Sequence, residues 1–367
     1  MKRILQVVRR MNYGGLETLI MNLYRNMDRT EFQFDFIVDK EGEYDAEIKK
    51  MGGKIFYIPY ITDIGEKEYE KKLRDFFRNH REYKIVHSHL DQVSGIIMKA
   101  AYLEQVPIRI SHSHNTSNSN NFLGKIYKAY LQSMIGKYAN TLFACSENAA
   151  KWLFKKRHKE AYIVNNGIEI QKFKFSDENR QEIRKSLDIK DDEEIWGHIG
   201  RFSKQKNHTF LIDIFYEYQK IYPNTKLLLI GAGELKTKIE KKVKQLGINK
   251  KVKFIGTVEN PEKYYSAFDL MIFPSLYEGL SLVMVEAQVA GVPIFASSNI
   301  DHVTDITNTL HYLSLGITAR EWAMHIIENK DKRNVRNINK VKQKGFDIKD
   351  VAKELSYKYS NLLEGNK

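Results

Sequence analysis

The chain is predicted to be an α/β protein made of two doubly wound parallel sheets. Three observations predict this. Short apolar runs alternate with helix-period stretches from the N-terminus onward. The alternation stops in a polar, charged stretch from Lys172 to Glu194 and then restarts. A length of 367 residues leaves room for two domains of roughly 100–200 residues each.

In the first half, Ile4–Val8, Phe34–Val38, Ile55–Ile58, Ile85–Ser88, Ile108–Ser111, Thr141–Ala144 and the short Ile163–Val164 read as strands. Helical periodicity falls between them, at Leu16–Arg25, Tyr44–Met51, Tyr69–Asn79, Gln92–Leu103, Lys125–Ala139 and Asn148–Phe154. Such alternation implies a parallel sheet with helices on both faces. Asn115–Asn121 reads as a polar Ser/Asn loop. A short amphipathic helix near Arg180–Leu187 lies in the break, which places the domain boundary near 170–190. Beyond it, Ile195–Ile199, Lys226–Ile230, Val252–Ile255, Leu270–Phe273 and Pro293–Ala296 read as strands. Asn207–Ile221, Glu234–Leu246, Pro261–Ala267 and Ser281–Ala290 read as helices, and a last helix covers about Ile348–Leu363. Two doubly wound sheets imply an inter-domain cleft as the expected place for a ligand.

The composition narrows the class. With 42% hydrophobic and 12% aromatic residues and only 6 prolines, the chain is globular and not disordered. A single cysteine, Cys145, excludes an internal disulfide framework and suggests a reducing compartment. It sits in the apolar run from Leu142, so it reads as a strand residue and not as a nucleophile. No apolar run approaches the length of about 20 residues that spans a bilayer. The N-terminal run is broken by Gln6 and reads as a first strand, so a cytoplasmic location is expected. The net charge is +13, of which +8 falls in residues 1–165 and +5 in the remainder. Anionic lipid, a polyanionic substrate or nucleic acid would each suit that excess, as would a basic solvated surface.

Five groups of residues carry chemistry. Gly14-Gly15-Leu16-Glu17 follows the first strand and opens the first helix, where backbone N–H groups can meet an anion. A plain strand-to-helix turn explains it equally well. Gly200-Arg201 with Lys206-Asn207 follows the first strand of the second half, and its two cations suit a diphosphate. Ile230-Gly231-Ala232-Gly233-Glu234 repeats the strand-to-glycine pattern, and tight packing accounts for it without a ligand. Pro274 to Glu286 is the most informative run. Glu278 precedes a helix with Ser281 as its expected N-cap, Gly279, Leu280, Leu282 and Val283 surround the helix start, and Glu286 lies one turn in. Two carboxylates thus bracket a helix amino end that can hold phosphate. Finally, His87 and His89 end one strand, and His112 and His114 end the next, with Asn115 following. No carboxylate or cysteine completes a zinc-like set, so hydrogen bonding to a substrate is the stronger reading and no metal is expected.

These residues resemble those of the GT-B glycosyltransferases of family 4, the large retaining group of bacterial polysaccharide and glycolipid enzymes. Val164-Asn165-Asn166-Gly167-Ile168 resembles the family's turn at the lobe junction. Gly200-Arg201…Lys206-Asn207 resembles its diphosphate clamp, and Glu278-x7-Glu286 its paired glutamates. Gly291-Val292-Pro293 resembles the Gly-x-Pro that ends the following helix. Ile-Ser-His-Ser-His-Asn-Thr resembles a subgroup from capsule and exopolysaccharide clusters.

The resemblance implies a GT-B fold of two Rossmann-like domains facing a central cleft. Residues 1–175 would bind the acceptor and 176–345 the nucleotide sugar, with 346–367 a C-terminal helix packing back towards the first domain. It implies that Glu278 contacts the donor sugar and Glu286 the nucleotide ribose. Arg201 and Lys206 would neutralise the leaving diphosphate, and the Gly14-Gly15 turn would close over it. His114, with His112 second, would sit near the sugar, and His89 and Asn115 are further contacts to sugar or acceptor.

The expected donor is a UDP-sugar. The expected acceptor is a saccharide or a lipid-linked oligosaccharide. No cofactor is expected. With no Asp-x-Asp in the chain, two cations and a helix dipole replace a metal. Lys151-Trp152-Leu153-Phe154-Lys155-Lys156-Arg157-His158-Lys159 mixes cations with aromatics, as a membrane-surface contact does, although a solvated helix end with Trp152 in the core fits as well. The rival readings are a nucleotide-sugar epimerase on the same fold and a basic nucleic-acid-binding protein. The latter lacks a binding motif.

Overall fold

The computed structural model describes residues 1–115, 122–278, 280–335 and 338–365. It divides into two compact units, Met1–Ile168 with Phe346–Lys367, and Glu169–Gly345. The division after Ile168 falls just ahead of the stretch in which the sequence placed it.

The first unit holds β1 (Lys2–Val7), α1 (Gly15–Asn26), β2 (Phe32–Val38), α2 (Asp45–Lys50), β3 (Ile55–Tyr57), α3 (Ile61–Ile64), α4 (Glu66–Asn79) and β4 (Ile85–Ser88). It continues through α5 (Ser94–Leu103), β5 (Ile108–Ser113), α6 (Phe122–Tyr138), β6 (Thr141–Ala144), α7 (Glu147–Phe154) and β7 (Tyr162–Ile163). The strand order is β3-β2-β1-β4-β5-β6-β7, and neighbours pair in parallel. All seven residues of β2 are buried, as a parallel strand covered on both faces requires. Alternate residues of β1 feed separate cores, Leu5 and Val7 on one face and Ile4 on the other.

The second unit holds α8 (Asp177–Ser186), β8 (Glu194–Ile199), α9 (His208–Gln219), β9 (Thr225–Ile230), α10 (Lys236–Gln245), β10 (Val252–Gly256) and α11 (Pro261–Ala267). β11 (Leu270–Phe273), α12 (Leu282–Val289), β12 (Ile294–Ser297), β13 (Leu310–Leu313), α13 (Ala319–Asn329) and α14 (Ile338–Gln343) follow. The order β10-β9-β8-β11-β12-β13 repeats the pattern of the first sheet. Three elements here escaped the sequence reading: β13, α13 and the short, lysine-rich α14. β13 is a half-exposed edge strand containing His311, so it has no apolar run to betray it. α13 opens on a reciprocal capping box between Thr318 and Glu321, a local signal the apolar pattern did not weigh.

The last helix, α15 (Ile348–Glu364), returns to the first unit. Ile348, Val351, Ala352, Leu355 and Tyr359 enter the core that holds Ile4 and Phe34. Gly167 permits this return, because a Cβ there would lie 2.8 Å from the Ile348 Cα. Ile168 donates to the Phe346 carbonyl and accepts from the Ile348 N–H, at 2.9 and 3.0 Å. The Asn-Gly-Ile turn is therefore a docking point for the C-terminal segment.

The basic–aromatic stretch at Lys151–Lys159 differs from a membrane-inserting surface. Phe154 is buried and Trp152 is half-buried against the core, so neither ring stands free to insert. Arg157 is tied to Glu160 and to the Gly136 carbonyl. Lys151, Lys155, Lys156 and Lys159 remain exposed. Among the described residues, no helix is long and apolar enough to cross a membrane.

Candidate active site

In each sheet the strand order reverses once, between β1 and β4 and between β8 and β11. Ligands of open α/β sheets bind at the carboxyl ends of strands beside such a reversal. The candidate residues lie in these loops. Gly14 and Gly15 follow β1, His87 and His89 end β4, Gly200–Lys206 follows β8, and Pro274–Glu278 follows β11.

In the second unit, the two loops are tied together. Leu276 N–H donates to the Gln205 carbonyl at 2.8 Å, and Asn207 Nδ2 donates to the Pro274 carbonyl at 3.1 Å. Asn207 adopts φ 52°, ψ 43°, which turns the chain into α9 one residue later than the sequence pattern suggested. Gly231, at φ +135°, lets the neighbouring loop approach, since a Cβ there would lie 2.2 Å from the Gly200 carbonyl oxygen. The Gly-x-Gly at 231–233 thus packs against the Gly200–Phe202 backbone.

This frame brings Lys206 Nζ to 2.6 Å from Glu278 Oε1, with the side chains only 15% and 9% exposed. Gln205 Nε2 donates to Glu278 Oε2 at 3.2 Å, and Glu278 bridges to Ile300 through its backbone. Oε1 has no hydrogen bond besides the ion pair among the described residues. A buried ion pair gains little net stability, because desolvation cancels much of the Coulomb term. A role in folding is therefore a weak reason for this pair. Arg201 does not join it. Its guanidinium is 77% exposed and lies 3.8 Å from Glu234, so the expected convergence of two cations is absent from this structure.

Glu278 leads into α12. Ser281 stands at the N-cap with extended backbone, but its side chain makes no capping bond, contrary to expectation. The Met284 and Val285 N–H groups reach the Ser281 carbonyl, whereas Leu282 starts the helix with no preceding helical carbonyl to bond. Gly279 lies outside the described residues, and Leu280 and Ser281 complete the turn. Glu286 accepts from the Tyr265 hydroxyl at 2.5 Å. Burial pushes its carboxyl up to about 7, opposed by the Tyr265 hydrogen bond.

In the first unit, Gly14 caps α1 through its carbonyl, which accepts from the Thr18 N–H at 2.8 Å, and a Cβ on Gly15 would meet nothing within 4 Å. The four histidines form one cluster. His87 Nε2 lies 3.0 Å from His112 Nδ1, and His89 Nδ1 lies 2.9 Å from His114 Nε2. His87, His89 and His112 are buried, while His114 is half-buried and Asn115 is exposed, bonded to Asp91. Desolvation drives all four imidazoles down, His114 to about 3, so they are neutral. Nitrogen atoms of His87, His89 and His112 lie within 4.8 Å of one another, close enough to hold a metal ion.

The sequence reading missed several participants. Gln6 accepts from His89 Nε2 at 2.8 Å, and Tyr359 of α15 lies 2.7 Å from His87 Nδ1. These partners are 83 and 272 residues away in sequence, so no local pattern reveals them. Beneath the Gly200 loop, His198 donates from Nδ1 to the Ile272 carbonyl at 2.8 Å and is held neutral by burial. A Cβ on Gly200 would sit 3.1 Å from His198 Nε2 and 3.3 Å from the Lys206 stem.

Fold and site together define a class: a two-unit α/β protein whose second unit pairs an ammonium with a carboxylate just ahead of a helix amino end. Residues 13–172 match the description Glycosyltransferase Family 4, and residues 179–314 match Glycosyl transferases group 1. The chain is 35% identical over 330 residues to the putative glycosyltransferase EpsF of Bacillus subtilis, covering 88% of this chain and 86% of that one. It is 29% identical to the capsular polysaccharide biosynthesis glycosyltransferase CapH of Staphylococcus aureus, covering 98% and 99%. The crystal structure of Anabaena HepE in complex with UDP-glucose superposes with a TM-score of 0.81 at 17% identity, over 98% of this chain and 100% of that one. The chain belongs to the family 4 glycosyltransferases and has their GT-B fold.

Proposed function

We propose that the chain is a retaining, metal-independent transferase that moves a hexose or N-acetylhexosamine from a UDP-sugar to a saccharide or lipid-linked acceptor in capsule or exopolysaccharide synthesis. The observation that carries this reading is the Lys206–Glu278 pair at 2.6 Å, held on two cross-tied loops at the sheet's switch point. The names of CapH, a capsular polysaccharide enzyme, and of HepE, crystallised with UDP-glucose, support the pathway and the donor.

The chemistry follows from charge. As the sugar–phosphate bond breaks, negative charge grows on the leaving diphosphate and the anomeric carbon gains positive character. The Lys206 ammonium and the amino end of α12 stabilise the leaving charge, and their orientation is fixed before reaction. Arg201, whose exposed side chain pairs with Glu234 in this structure, adds a second cation by exchanging that partner for the diphosphate. Lys206 then shares its charge between phosphate and Glu278, and the carboxylate accepts hydroxyls of the sugar. Glu286 accepts ribose hydroxyls. The acceptor hydroxyl attacks from the side the diphosphate leaves, its proton passes to the departing phosphate, and configuration is retained.

Mutation tests the assignment. Glu278→Ala and Lys206→Met are each expected to lower UDP release from the cognate UDP-sugar by about 100-fold or more, the scale of losing one preorganised charge contact. Unchanged turnover in either variant removes the site. Excess EDTA is expected to leave turnover intact, and complete loss rescued by Mg²⁺ contradicts metal independence. Peripheral contact with anionic membrane rests on the exposed Lys151, Lys155, Lys156 and Lys159. Sedimentation with anionic vesicles at low salt, lost at high salt, is the expected result, and absence from the pellet at low salt removes the membrane contact.

A further inference from the structure

The four neutral histidines of the first unit obey a strict proton count, since each ring carries one N–H and one lone pair. Gln6 Oε1 can only accept, so His89 must carry its proton on Nε2. His89 Nδ1 is therefore a lone pair, and the 2.9 Å contact requires His114 to carry its proton on Nε2. His114 Nδ1 is left bare, and no hydrogen bond reaches it among the described residues.

A second chain starts from Tyr359 of α15. Among the described residues, the buried Tyr359 hydroxyl has His87 Nδ1 as its one hydrogen-bond acceptor. Tyr359 then donates to His87 Nδ1 at 2.7 Å, and His87 Nε2–H donates to His112 Nδ1 at 3.0 Å. The proton of His112 is consequently on Nε2, which is buried and has no partner. The rings of His112 and His114 lie 4.0 Å apart, between centroids. Two chains of opposite polarity thus end side by side, one on an N–H and one on a lone pair.

We propose that Gln6, His89 and Tyr359 are positioning residues that fix the His114 tautomer, so that bare His114 Nδ1 accepts a hydrogen bond from a sugar hydroxyl while His112 Nε2–H stands beside it as a donor. The inference rests on the glycosyltransferase reading only for the identity of the hydroxyl; the tautomers are set by contacts within the first unit. The same contacts weigh against a metal at this cluster. An ion on His87, His89 and His112 would need at least one ring nitrogen already committed to Tyr359, Gln6 or a neighbouring imidazole.

Long-range ¹⁵N–¹H correlation on the ¹⁵N-labelled full chain reads the tautomers directly. His114 is expected to show a pyridine-type Nδ1 and a pyrrole-type Nε2, and His112 a protonated Nε2. A protonated His114 Nδ1, a doubly protonated ring, or stoichiometric metal in the purified protein overturns the proposal. His89→Gln, whose carbonyl can accept from His114 and whose amide can donate to Gln6, is expected to keep that signature and most of the turnover. His89→Leu is expected to mix the His114 tautomers and lower UDP-glucose turnover about tenfold, the effect of one hydrogen bond. Equal loss in both variants indicates a packing role and contradicts the proposal. A raised KM for UDP-glucose in hydrolysis without acceptor assigns the hydroxyl to the donor sugar, and a loss confined to transfer onto octyl glucoside assigns it to the acceptor. If the tautomers stand but His114→Ala leaves both reactions unchanged, hydroxyl recognition is refuted while the donor site in the second unit is untouched.

Discussion

At the residue scale, burial sets the protonation of Glu286. Its carboxyl titrates at about 7 in the folded chain, above the ordinary 4.5, chiefly because burial disfavours the charge. Between those two values the folded protein holds a proton that the unfolded chain releases. This group's contribution to stability is therefore full below pH 4.5 and falls as pH rises towards 7. Glu286→Gln keeps an acceptor for Tyr265 and removes the titration. In the unliganded protein at pH 8 it is expected to be more stable, on the order of 1–3 kcal/mol, in urea melts. Donor affinity is expected to fall in the same variant, because an amide accepts ribose hydroxyls less strongly than a carboxylate does. A variant that gains stability without losing affinity shows that the charge is not used for binding.

At the scale of elements, α15 completes the first unit, and its docking hinges on one glycine. Gly167→Ala places a methyl 2.8 Å from the Ile348 Cα, a backbone atom with little room to retreat. It is expected to cost roughly 1–3 kcal/mol, read as a lowered thermal midpoint. Tyr359→Ala, emptying a fully buried position, is expected to cost about 3–5 kcal/mol. A smaller loss from both would mean that α15 is dispensable to the unit.

The strands near the two sheet centres were legible from the sequence through short apolar runs, unbroken over Leu270–Phe273 in β11 and shorter in β4, where Ile85 and Val86 precede His87. β13 was not, since an edge strand needs no apolar face. Glu278 and Lys206 were legible as residues beside strand ends, but their pairing was not. It depends on Asn207 and Gln205 bonding across to another loop. Likewise, the histidines could be picked out from sequence, while the hydrogen bonds that assign their protons come from Gln6 and Tyr359. Trp152 and Phe154 illustrate the opposite case: a sequence rich in cations and rings hid one core side chain, Phe154, and one half-buried against it, Trp152.

For the whole molecule, the same strand order in both units places loop chemistry at two comparable switch points. One carries cation, carboxylate and helix end; the other carries neutral imidazoles. Cations suit a diphosphate and neutral imidazoles suit hydroxyls, and on that ground the proposed function puts the phosphate chemistry in the second unit. A crystal of the full chain grown with UDP-glucose tests that assignment most directly. Diphosphate oxygens are expected within hydrogen-bonding distance of Lys206 Nζ and of the first N–H groups of α12, with the glucose on the Glu278 side. A diphosphate bound away from Lys206, or a glucose with no contact to Glu278, would contradict it.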